Sequence, residues 1–255
     1  MIRLSACVEM IYRDLPMVER IAHVAAMGLP AFEFWSWVNK DLPEIARAKA
    51  EHRLAVSSFA YASPGAIVDP ANHAAFLKHF DGVLTAADTL DCRTVIVTVG
   101  QQLPAVGRAD QHAAIVDALR ALAPRAQQNG ISVVVEPLNT LINHKGYYLS
   151  TSEESFQIID EVGSPAISIL FDVYHQQITE GNLINNITTY FQKIGHFHIA
   201  DNPGRNEPGT GEINYANVLR TIDSLGYSGY IGLEYRPKAD ADAALQATKV
   251  IAGMA

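Results

Sequence analysis

Cysteine is almost missing from this chain. Cys7 and Cys92 are the only two in 255 residues, and neither belongs to a CxxC pair or a Cys/His zinc spacing. That excludes a disulfide framework and a thiolate-lined structural zinc site, and it fits a reducing cytoplasm. Basic clusters are also missing. There are 19 Lys and Arg against 27 Asp and Glu, for a net charge of −8. A nucleic-acid partner would call for a basic face, so none is expected. No apolar run approaches the roughly 18 residues of a membrane span. The opening Met1-Ile-Arg-Leu-Ser-Ala-Cys7 is too short for a secretory signal, so the expectation is a cytoplasmic protein with no membrane contact. Linkers, internal repeats and low-complexity stretches are absent too, which predicts a single domain over residues 1–255. With 49% apolar and 18% charged residues, the chain can bury a sizeable core.

What is present alternates. Strands are predicted at residues 2–11, 31–35, 54–61, 94–99, 131–136, 167–172, 194–201 and 230–234. The fourth, Thr94-Val-Ile-Val-Thr-Val99, is β-branched throughout. Between and after them the spacing predicts helices at 14–26, 41–52, 70–90, 109–128, 151–162, 182–193, 215–225 and 239–252. Asp14 is the expected cap of the first helix, Thr151 or Ser152 that of the fifth, and Pro124 is a potential kink. Strict alternation implies a parallel sheet with right-handed crossovers. Apolar runs on the strands imply burial of both faces. Eight units in about 250 residues predict an α/β fold of the (β/α)8 TIM barrel type, with an open doubly wound sheet as the competitor.

In such a barrel the site lies at the C-terminal strand ends. Strand five ends in Glu136-Pro-Leu-Asn139, strand six in Asp172-Val-Tyr-His175, and strand eight in Glu234-Tyr-Arg-Pro237. Strand seven, Ile194-Gly-His-Phe-His-Ile-Ala-Asp201, carries two histidines on one face. Glu136, Asp172, His198 and Glu234 follow one another at separations of 36, 26 and 36 residues, each about one strand–helix unit. Three converging carboxylates need a neutralising charge. A divalent cation held by three oxygens and one imidazole, Mn2+, Mg2+ or Co2+, supplies it. Taken singly, each residue has a plainer reading as a helix cap, an ion-pair partner or a core histidine. His196, one pleat deeper, is expected in the core, and Asp201 is expected to cap or support. Glu33 either points into the site or pairs with Arg3. Phe34, Trp35, Trp37, Phe59 and Tyr61 wall the pocket or the core, and the sequence does not divide them.

At these residues the chain resembles the xylose-isomerase-like barrel superfamily, which includes ketose 3-epimerases, hydroxypyruvate isomerases and endonuclease IV. The run from Gly195 to Tyr215, with Glu136-Pro-Leu-Asn139, Phe171-Asp-Val-Tyr-His175 and Leu233-Glu-Tyr235, looks most like the hydroxypyruvate isomerase branch. The resemblance implies metal ligands Glu136, Asp172, His198 and Glu234, and Glu136 and Glu234 as a catalytic acid–base pair. Some members of that branch have Gln at the third ligand. The segment Asn143-His-Lys-Gly-Tyr-Tyr148 also departs from the branch's Pro-Gly pattern. The substrate therefore stays open between a small 2-oxo acid and a free ketose. His175 is expected to bond a substrate oxygen. Arg205 is expected to pair with a substrate carboxylate, or otherwise with Glu207 or Glu212 in its own loop. The resemblance further implies a homodimer or homotetramer. An endonuclease would need more histidine ligands and a basic groove, and a silent binding barrel would not need both glutamates.

Overall fold

The computed structural model describes residues 1–254. Eight parallel strands close into a barrel in sequence order: β1 (Leu4–Cys7), β2 (Ala31–Ser36), β3 (Ala55–Ala60), β4 (Thr94–Val97), β5 (Ser132–Val135), β6 (Ile167–Asp172), β7 (Ile194–Ile199) and β8 (Ile231–Leu233). β8 pairs with β1, Ser5 lying opposite Gly232, so no edge is left open. The helices are α1 (Met17–Ala26), α2 (Leu42–His52), α3 (His73–Leu90), α4 (Arg108–Gln128), α5 (Ser152–Val162), α6 (Val173–Thr179), α7 (Leu183–Tyr190), α8 (Tyr215–Ser224) and α9 (Ala241–Ile251). Among the described residues no helix is long and apolar enough to cross a membrane.

Periodicity explains how these elements meet. Ile115, Leu119 and Leu122 of α4 recur one helical turn apart, and all three are fully buried. Truncating one such side chain to Ala costs about 2–5 kcal/mol. Between the strands and the helices runs one continuous apolar layer. Inside the barrel, Ile96, Val134 and Leu170 form a separate small cluster on the β4–β6 side. The other side of the interior is polar: Ser5 and Ser57 bond each other at 2.6 Å, and Glu33 and His196 meet there.

Three sequence readings need correction. The first strand stops at Cys7, where Met10 and Ile11 both donate to the Cys7 carbonyl. Val8, Met10 and Ile11 are buried in that turn, and an apolar run cannot distinguish a buried turn from a strand. Asp14 does not cap α1; the cap position is Pro16 and has no side-chain bond, while Asp14 lies exposed beside Arg13. The helix expected at 109–128 is present as α4, with Pro124 inside it. Helix α6 was missing from the sequence reading, because its seven residues directly abut β6. The expected cap at Thr151 is present, its side chain accepting from the Glu154 N–H.

Candidate metal centre and active site

Glu136 comes directly after β5, Asp172 ends β6, His198 lies on β7 and Glu234 comes directly after β8. Register levels them: Asp172 pairs with His198, and His198 with Gly232. One ligand-capable atom from each of Glu136, Asp172, His198 and Glu234 lies within 4.8 Å of all the others. Asp172 divides its carboxylate between two tasks. Oδ1 caps α6, accepting from the N–H groups of Tyr174 at 2.8 Å and His175 at 3.2 Å. Oδ2 stands 3.5 Å from His175 Nε2 and 3.8 Å from Arg205 Nη2.

All four residues are buried, and their charges are unevenly supported. Burial pushes the Glu136 carboxyl up, only partly opposed by His198, and the neighbouring Glu234 charge adds to the rise. Burial also raises Asp172 against the pull of Arg205. Glu234 goes the other way: burial works against ionisation, but Arg205 and His198 outweigh it and hold the group well below the usual carboxylate range. Its Oε2 accepts from Arg205 Nη2 at 2.6 Å and its Oε1 from Trp35 Nε1 at 2.7 Å. Burial opposes charge on His198, yet Glu33 and Glu234 raise it well above the ordinary histidine value. Its Nδ1 lies 3.3 Å from Glu234 Oε2 and 3.7 Å from Glu136 Oε1.

This donor set fits a divalent cation. Glu136 Oε1 and His198 Nδ1 are buried without a hydrogen-bond partner among the described residues. Burial resists ionisation of Glu136 and Asp172, so added positive charge is what the cluster lacks. Three oxygens and one imidazole suit the harder divalent ions.

His175 is also brought to the site. Its Nδ1 accepts from the Asn139 backbone N–H at 3.2 Å, which assigns the proton to Nε2. Burial and Arg205 lower its pKa to about 3, so the ring is neutral and Nε2–H is a free donor facing Asp172. Arg205 arrives on the loop after β7. Buried Asp201 anchors that loop by accepting four backbone N–H bonds, from Asn202 and Ile213 on Oδ1 and from Gly209 and Gly211 on Oδ2. Arg205 pairs with neither Glu207 nor Glu212. It reaches into the cluster instead, its guanidinium 5.2 Å from the Tyr174 ring centre.

The cluster opens onto a cavity of about 310 Å³. Its polar wall is Glu136, His175, His198, Arg205 and Glu234; Trp35, Ala60, Ile96 and Leu138 form the apolar wall. Thr98 and half-buried His144 also line it. The sequence reading passed over Ala60, Ile96, Thr98, Leu138 and His144; a strand-end position was the only available signal for Ala60 and Thr98. Among the aromatic residues, Trp35 stands at the cavity, Phe34, Phe59 and Tyr61 are buried, and Trp37 packs on His79. Glu33 points into the barrel and not to Arg3, which stacks on Tyr230. His196 is buried as expected, with Nε2 3.2 Å from Glu33 Oε2.

Comparison with known proteins agrees with the barrel fold. A family model described as a xylose isomerase-like TIM barrel matches residues 21–251. The chain is 30% identical to a protein of Escherichia coli strain K12 named hydroxypyruvate isomerase, over 96% of this chain and 98% of that one. It is 32% identical to a Cupriavidus necator protein named 2-oxo-tetronate isomerase, over 95% and 96% respectively. A crystal structure titled AP endonuclease, family 2, from Brucella melitensis superposes with a TM-score of 0.92 at 29% identity, covering 96% of this chain and 97% of that one. This chain belongs to the xylose isomerase-like TIM barrel family.

Proposed function

We propose that this protein is an aldose–ketose isomerase that converts hydroxypyruvate to 2-hydroxy-3-oxopropanoate. The observation that carries the reading is the pair Glu136 and Glu234. Both are buried at one cavity, one biased toward its protonated form and the other held ionised. Such a pair suits proton abstraction on one side and proton delivery on the other. In the net reaction the C3–H bond breaks, a C2–H bond forms, and the O3 hydroxyl proton moves to O2. One glutamate takes the C3 proton and the other serves C2. His175 Nε2–H donates to a substrate oxygen, and Arg205 pairs with the carboxylate. Glu136, Asp172, His198 and Glu234 would hold a divalent cation, Mn2+, Mg2+ or Co2+, which would supply charge stabilisation to the enediolate oxygens. The Escherichia coli and Cupriavidus relatives carry names of isomerases, and a cavity of about 310 Å³ suits a small substrate.

One observation favours a second reading, a ketose 3-epimerase. Arg205 is already bonded to Glu234, which limits its freedom to meet a substrate carboxylate. The nuclease reading has less support: the cluster has one histidine and the chain is acidic. The proposal includes a cytoplasmic homodimer or homotetramer, and light scattering on the purified protein reads the assembly directly. The activity test is NMR in D2O with Mn2+ over a panel of three- to six-carbon ketoses and keto acids. Isomerisation of hydroxypyruvate with deuterium entering at C2 is expected. Epimerisation of a free ketose with no turnover of hydroxypyruvate would replace the first reading with the second.

A further inference from the structure

Beneath the four-residue cluster lies a second polar group that the proposed reaction does not use. Glu33 on β2 is fully enclosed, and it meets residues from three other strands. Its Oε2 accepts from Ser57 Oγ at 2.9 Å and Ser58 Oγ at 3.1 Å, both on β3. The same oxygen lies 3.2 Å from His196 Nε2 on β7. Its other oxygen, Oε1, lies 3.0 Å from His198 Nε2. Neither of those two buried atoms has another hydrogen-bond partner among the described residues, so each is left facing the other.

The barrel is shaped around this contact. Gly232 of β8 stands beside His198 in the ladder. A Cβ there would fall 2.2 Å from Glu33 Oε1 and 2.6 Å from His198 Cδ2. Only glycine leaves room for carboxylate and imidazole together. Barrel interiors are ordinarily filled by branched aliphatic side chains. Here five inward positions on four strands are Glu, Ser, Ser, His and Gly, surrounding one buried carboxylate.

We infer that Glu33 is a positioning residue for His198: its charge holds the proton on Nε2 and fixes the ring, so that the Nδ1 lone pair faces Glu136, Asp172 and Glu234. The inference rests on the metal reading of that cluster. An imidazole ligand offers one nitrogen to the ion, and the partner of the other nitrogen sets tautomer and orientation. His196 meets the other oxygen of the carboxylate, its ring centre 5.1 Å from that of His198, and is not one of the four clustered residues.

The test is Mn2+ binding, with no substrate, measured by calorimetry on folded protein. Wild-type protein is titrated first; absence of Mn2+ binding would overturn the metal reading and this inference with it. Glu33→Gln is expected to weaken Mn2+ binding by about 10- to 100-fold, the usual effect of losing such a partner. His196→Gln disturbs the same buried group at the oxygen that does not meet His198 and should leave the affinity unchanged. Unchanged affinity in Glu33→Gln, or equal losses in both variants, overturns the inference while the metal reading stands. A second readout needs no variant. In Mg2+-loaded wild-type protein, nitrogen-15 NMR should find the His198 proton on Nε2; a proton on Nδ1 overturns the inference.

Discussion

The two sides of the barrel mouth are built from opposite materials. From β5 to β8, the strand ends deliver Glu136, Asp172, His198 and Glu234, and the next loop adds Arg205. From β2 to β4, they deliver Trp35, Ala60, Ile96 and Thr98 to the same cavity. One side can move protons and hold charge. The other can exclude water and limit size, which strengthens every charge interaction opposite it. Asymmetry of this kind assigns chemistry to one half and shape to the other, and each assignment can be broken separately.

The largest effect should come from the charged side. Glu136→Gln and Glu234→Gln should each lower turnover by at least about 10²-fold in steady-state kinetics, the scale of lost acid–base catalysis. Near-normal turnover in either variant would break the paired-glutamate account. Arg205→Ala comes next. With an acid substrate, kcat/KM should fall by roughly 10- to 100-fold, corresponding to one lost charge-assisted hydrogen bond. A neutral ketose should lose much less, so the ratio between the two substrates separates carboxylate recognition from support of Glu234. Trp35→Phe should have the smallest effect. It keeps the apolar wall and removes only the bond from Nε1 to Glu234. A net hydrogen bond of about 0.5–1.5 kcal/mol predicts a loss of roughly 2- to 10-fold in kcat. A loss as large as that of Glu234→Gln would move Trp35 to the chemical side.

Much of the charged side was legible in the sequence, because each of its residues sits at the end of its own strand and strands announce themselves by local pattern. The eight strands and the four clustered residues needed no knowledge of distant contacts. The apolar side was less legible. Ala60 and Ile96 are ordinary strand residues, and only barrel closure turns them toward a cavity. Helix α6 was hidden because Asp172 serves as strand end, site residue and helix cap at once. Glu33 could not be assigned because its partners His196 and His198 lie over 160 residues away in the chain. For Arg205 only the alternative pairing with Glu207 or Glu212 fails: those two are near in sequence, whereas Asp201 folds the loop so that Arg205 turns inward to Glu234.

The central claim is that the charged side works as a metal-dependent proton-transfer site. Its most direct test follows exchange of the C3 proton of hydroxypyruvate with D2O by NMR, using enzyme stripped with EDTA and then given Mn2+. The account predicts no exchange after stripping and full recovery on addition of Mn2+. Undiminished exchange in rigorously metal-free enzyme would contradict it.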